Sequence, residues 1–259
     1  MKGRYSLAAG MGASLALCLA LTPVSAGSLL GKLGGAKTVM DVGGDVAKGM
    51  TLSDADVARL GADSAQAYDE ESEVAPASNA YAKRLAKLTQ GYTDIDGLKI
   101  NYKVYLEDTI NAFALPDGSV RVYSGLMNLM SDDELRFVLG HEIGHVKLGH
   151  TKARFRTAYL AQAARKGAAA SGGVAAELAT SELGDLVEAV IKAQHSQSNE
   201  LESDGYGFEL LKKKSVAPQA AVTALRRLET ASGGAKADML SSHPDSGKRA
   251  ALIDKKIKG

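Results

Sequence analysis

His141-Glu142-Ile143-Gly144-His145 sets two imidazoles four residues apart with a carboxylate between them. On a helix, side chains at that spacing share a face, their Cβ atoms about 5–6 Å apart. Two such imidazoles can hold one zinc ion, and Glu142 can take a proton from a water activated there. The plainer alternative is a helix with two surface histidines.

A catalytic zinc takes three protein ligands and keeps one open position, so the chain must supply a third. His150 lies nine residues after His141. The metzincin pattern puts its last His ten residues on, after a glycine turn, where this chain has Leu148. A helix running to about residue 150 would carry His150 off the metal face. It therefore reads as a helix C-terminal residue, favoured by the macrodipole. Ser198-Asn199-Glu200-Leu201-Glu202-Ser203-Asp204-Gly205 is the better source. Glu200 and Asp204 share one helical face, and Glu202 points nearly opposite. Glu200 can bind the ion while Asp204 accepts the outer N–H of a liganding His. Without the paired histidines, the same stretch would read as a solvated acidic helix start.

Around these residues the chain has an ordinary globular composition, 45% hydrophobic and 24% charged over 259 residues. A formal charge of +1 and the absence of Trp offer neither a pull toward nucleic acid nor a stacking platform for bases. Lys2 and Arg4 precede an apolar run from Leu7 to Leu21, then Pro23-Val24-Ser25-Ala26. This is the pattern of an export signal cut after Ala26, and it predicts a periplasmic protein. An uncut anchor is the alternative, although the run is short for a span. Cys18 is the sole cysteine. Leu17 before it and the apolar run continuing past it argue against lipid attachment, and a cut after Ala26 leaves no thiol.

The elements that must position the site follow in order. Residues 27–50 are rich in Gly and form a lead-in to a catalytic domain over 51–259. Helices are expected from Thr51 to about Glu73 and, capped by Ser78, to about Gln90. Strands are expected at Leu98–Leu106, Thr109–Leu115 and Val120–Tyr123. The last two are joined as a hairpin through Pro116-Asp117-Gly118-Ser119. Ser131 and Glu134 form a capping box for the helix carrying His141 and His145. One or two helices are expected over Arg154–Gln197, loosened at Gly172-Gly173. Others are expected at Asn199–Lys214, Pro218–Thr230 and Ser246–Lys258. Helices, a small, mostly antiparallel sheet and more helices make an α+β fold.

Together these residues resemble the HtpX-like gluzincin peptidases, family forty-eight of the metallopeptidases, over roughly Asn79 to Arg249. Its E-x-E-A-D pattern appears as Glu200-Leu201-Glu202-Ser203-Asp204, its N-A-F-A strand as Asn111-Ala112-Phe113-Ala114, and its late His-Pro as His243-Pro244, with Arg249 at the matching basic position. The resemblance implies a mostly helical gluzincin fold with a small sheet beside the metal helix. It implies one zinc ion on His141, His145 and Glu200, with Glu142 as general base and Asp204 behind a ligand. It implies a peptide strand added at Asn111 and Ala112. His243 and Arg249 would stabilise the oxyanion, or His243 would take the open zinc position as a latch. We expect a zinc metalloendopeptidase acting on unfolded or misassembled envelope proteins, in periplasmic quality control, with outer-membrane association and assembly machinery as further partners. The alternative is a zinc-stabilised chaperone or assembly factor without essential proteolysis.

Overall fold

Ser53 and Asp56 cap each other reciprocally and start helix α1 (Asp54–Glu71). In the computed structural model the described residues are 52–95, 97–165, 180–231 and 238–259. The expected export signal, the lead-in and the Gly172-Gly173 joint lie outside them. The next helix, α2 (Ala80–Leu88), is capped by Asn79 rather than Ser78. The Asn79 N–H donates to the Pro76 carbonyl, closing a turn, and its side chain accepts from the Tyr81 N–H.

Where one strand is expected over Leu98–Leu106, the chain makes two. A two-residue hairpin pairs β1 (Asp94–Ile95) with β2 (Leu98–Lys99), and β3 (Asn101–Tyr105) follows after Ile100. The break occurs where the Ile100 N–H turns back to the Thr93 carbonyl. The expected hairpin is present: β4 (Ala112–Ala114) pairs antiparallel with β5 (Ser119–Tyr123). At its turn Gly118 has φ +93°, and a Cβ there would stand 2.2 Å from the Lys99 carbonyl oxygen, so glycine is required. The three-stranded sheet is ordered β3-β5-β4, and β3 runs parallel to β5 over five residue pairs. This sheet is therefore mixed rather than mostly antiparallel. The segment after β3 carries the chain past β5, so β4 joins on the far side.

Both sheet faces are covered, which explains why all five β5 residues are buried. Alternation sends Val104, Ala112, Ala114, Val120 and Val122 to one core and Tyr105, Phe113 and Tyr123 to another. The first core is completed by α4 (Asp132–Lys147), α7 (Gln197–Lys213), α8 (Gln219–Ala231) and α10 (Ser246–Lys258). The second is completed by α1, α5 (His150–Arg165) and α6 (Thr180–Lys192). Arg121 is buried on the second face, where its guanidinium grips Asp69 at 2.7 and 2.9 Å. Two short helices complete the described chain, α3 (Ser124–Leu129) and α9 (Asp238–Ser242).

The capping box of Ser131 and Glu134 starts α4 as expected. The helix stops earlier than expected, at Lys147. Leu148 is its last half-turn, and Gly149, with φ +80°, bends the chain into α5. His150 is consequently the first residue of the next helix, not the last of this one. Standing at a helix start, it cannot have the C-terminal macrodipole role read from the sequence, and it is buried.

Candidate metal centre

Helices α4 and α7 approach closely because glycines line their contact. A Cβ on Gly207 would lie 3.0 Å from the His141 backbone nitrogen, and one on Gly144 would lie 3.0 Å from Tyr206 Cβ. This approach seats the first turn of α7 over His141 and His145. Ser196 caps α7, its hydroxyl accepting from the Asn199 N–H at 3.2 Å, and Glu200 follows in the first turn, fully buried.

Four side chains converge: His141, His145, Glu200 and His243, all buried, with ligand atoms within 4.8 Å of one another. His141 Nε2 lies 3.0 Å from His145 Nε2, 3.2 Å from His243 Nδ1 and 3.6 Å from Glu200 Oε2. Glu200 Oε1 lies 3.3 Å from His145 Nε2 and 3.0 Å from His243 Nδ1. Zinc bonds of about 2.0–2.1 Å place tetrahedral ligand atoms about 3.3–3.4 Å apart, so these separations suit one zinc ion. His141 Nδ1 lies 2.9 Å from Asp204 Oδ1. An ionised carboxylate only accepts, so the proton sits on His141 Nδ1 and Nε2 turns a lone pair to the centre. The donor set of two imidazoles and a carboxylate is the gluzincin set, with His243 on the fourth side.

Burial works against the Asp204 carboxylate, yet hydrogen bonds from Arg249 and His141 hold it below the usual range. Glu200 behaves likewise: burial raises it, and the facing His243, His145 and His141 more than offset that. Burial drives His145 down to about 2, keeping the imidazole neutral. Glu142 is pushed up by burial, the direction that suits a group exchanging protons near neutral pH.

The expected site residues are thus brought together, with two differences of detail. Arg249 has its guanidinium engaged by carboxylates. It grips both Asp204 oxygens, at 2.7 and 2.5 Å, and pairs with Glu200, behind the ligands. Burial of both carboxylates is offset by that cation. Asn111 and Ala112 lie at the expected sheet edge, but that edge is covered. It borders a cavity of about 20 Å³ shared with Glu142, His243, Thr151, Arg154 and His195.

Of three further neighbours, His195 and Arg154 were not singled out by the sequence, and His150 was weighed as a ligand and set aside. His195 stacks on His145, ring centroids 3.7 Å apart, and Arg154 hydrogen-bonds to His195. His150 Nδ1 lies 3.2 Å from His145 Nδ1. Gly149 was the available signal for His150, since a glycine just past a periodic run ends a helix. The signals for His195 and Arg154 are tertiary.

Residues 76–257 match the profile of peptidase family M48. The chain is 43% identical to metalloprotease YcaL of Escherichia coli K12 over 211 residues, covering 81% of this chain and 83% of that protein. It is 38% identical to metalloprotease LoiP of the same organism over 216 residues, covering 83% and 86%. The mitochondrial metalloendopeptidase OMA1 of Arabidopsis thaliana is 30% identical over 175 residues, 66% of this chain and 34% of that one. With a zinc-fitting centre inside the matched region, the chain belongs to peptidase family M48 and is a zinc metalloendopeptidase.

Proposed function

We propose that this enzyme works outside the cytoplasm, cleaving unfolded or misassembled cell-envelope proteins, and rests in a latched state. The observation that carries the substrate reading is the place of β4. It is the outer strand of its sheet and borders the same cavity as Glu142; covered in the latched state, its edge is freed when the Ser242–His243 segment lining that cavity moves aside. A peptide added to such an edge is held by main-chain hydrogen bonds whatever its sequence. Extended segments satisfy that geometry and folded domains do not. The basic-then-apolar start of the sequence supports export, and no described helix is long and apolar enough to cross a membrane.

When bound, zinc polarises the scissile carbonyl and acidifies a water. Glu142 Oε1 has no hydrogen-bond partner and lines the cavity. About 20 Å³ suffices for one water, which needs about 10–15 Å³. Glu142 takes that water's proton and passes it to the leaving amine. His243 Nδ1 faces the same centre as the other three ligands, so it fills the position a catalytic site keeps open. The four-ligand centre also favours a second reading, a zinc-stabilised chaperone whose proteolysis is dispensable.

The test compares zinc-loaded wild type with Glu142→Gln on unfolded casein and on a compact protease-resistant domain. Cleavage of casein alone, abolished by Glu142→Gln, supports the proposal. Equal cleavage of both substrates overturns the unfolded-substrate reading. Full complementation of an envelope defect by Glu142→Gln favours the chaperone. N-terminal sequencing of protein recovered from the periplasm tests export, and an intact Met1 would overturn cleavage after Ala26.

A further inference from the structure

His141 and His145 present the same atom to the metal, yet their outer nitrogens meet different chemistry. Behind His141 stands the Asp204 carboxylate. Behind His145 stands another imidazole: His145 Nδ1 lies 3.2 Å from His150 Nδ1, and both rings are buried. Two facing ring nitrogens hydrogen-bond only when one of them carries the proton, and the Ser203 hydroxyl, 3.3 Å from the same His150 Nδ1, can donate to its lone pair as well; which ring carries the proton decides whether His145 can bind an ion. If His150 held the proton on Nδ1, neutral His145 would carry its own on Nε2, toward the metal.

The far side of His150 settles the matter. His150 Nε2 lies 3.2 Å from Glu202 Oε2. Glu202 is half exposed, its side chain 53% accessible, and its other oxygen accepts from the Ser198 hydroxyl at 2.9 Å. A carboxylate there requires N–H on His150 Nε2. A neutral imidazole then has its lone pair on Nδ1, and His145 must donate from Nδ1 and keep Nε2 bare. His141 and His145 then oppose two bare Nε2 atoms 3.0 Å apart, an arrangement that suits a cation held between them.

We propose that His150 is a positioning residue of the metal centre, fixing the tautomer and ring direction of His145, and that Glu202 orients His150 in turn. The chain of hydrogen bonds runs from the buried ligand to the protein surface through Gly149's bend, which delivers His150 to this place. It rests on the zinc centre described above and holds whatever the substrate is.

His150→Leu keeps the bulk and removes the acceptor. His150→Asn restores an acceptor oxygen near the old Nδ1 position and suits a helix start. Zinc affinity of metal-free protein is measured by chelator competition, with circular dichroism to establish folding. His150→Leu is expected to weaken zinc by about 10–100-fold, and His150→Asn to recover most of that loss. Imidazole ¹⁵N shifts of metal-free wild type should place the His145 proton on Nδ1, and Glu202→Gln should mix the two tautomers. Equal zinc affinity in all variants overturns the proposal, as does equal loss in Leu and Asn variants that fold. A single unmixed tautomer in Glu202→Gln removes Glu202 from it. Because none of these readouts needs peptide cleavage, failure of the substrate or latch reading leaves this one standing.

Discussion

Arg249 holds Asp204 with two prongs, Nε to Oδ2 at 2.7 Å and Nη2 to Oδ1 at 2.5 Å, both residues buried behind His141. A planar fork matches a carboxylate in a way a lysine ammonium does not. Arg249→Lys should fold and keep the charge, yet weaken zinc by about 10–100-fold by loosening Asp204 and hence His141. Unchanged zinc affinity with a large fall in kcat would return Arg249 to the oxyanion.

Glu200→Ala should abolish tight zinc binding. Glu200 faces His141, His145 and His243 together, so its loss removes the only carboxylate among the four converging ligands. Metal content after gel filtration checks this, and stoichiometric zinc in the variant would mean that His243 and the two helix histidines suffice.

His243→Ala should retain zinc, since three ligands remain, and should raise casein hydrolysis by opening the fourth side. If instead kcat falls about 10²–10³-fold with zinc in place, His243 is the oxyanion donor.

Gly207→Ala is expected to cost about 1–3 kcal/mol of stability, because its Cβ would press on the His141 backbone at 3.0 Å and the Phe137 carbonyl at 3.1 Å. Thermal melts of metal-free protein measure the cost. Melts that match the wild type would mean that α7 can shift without loss.

Asp69 ties α1 to the sheet away from the metal. Burial raises its carboxyl, but Arg121, Lys103 and Tyr105 hydrogen-bond to it and bring it below the usual range. A folded pKa below the unfolded one stabilises fully above about pH 4 and is lost as pH falls through the folded value. Asp69→Asn should therefore cost about 1.5–3 kcal/mol at neutral pH and progressively less below pH 4. Denaturant melts of metal-free protein across that range should converge, and a constant gap would assign the loss to packing.

What the sequence revealed was chiefly what is local. The starts of α4 and α10 follow from a capping box and from Pro244, and Ser246–Lys258 is the helix found. The ligand pairs sit four residues apart on one helix face, so His141, His145, Glu200 and Asp204 were each recognisable. The parallel pairing of β3 with β5 was not, because it depends on which side of β5 the chain crosses. Nor was the direction of the Arg249 guanidinium, which is set by packing α10 against the ligands. The end of α4 was legible in Gly149, but a helix extended to residue 150 on hydrophobic period alone passes over it.

His141 and His243 stand 102 residues apart in sequence and 3.2 Å apart in space. An ion held between them closes a long loop, and closing such a loop restricts the unfolded chain as a covalent cross-link does. Zinc is thereby a fastener for the end of the polypeptide as well as a reagent. Chelation should speed amide hydrogen exchange first in α9 and α10, which flank the last ligand, while β5, enclosed on both faces, exchanges last.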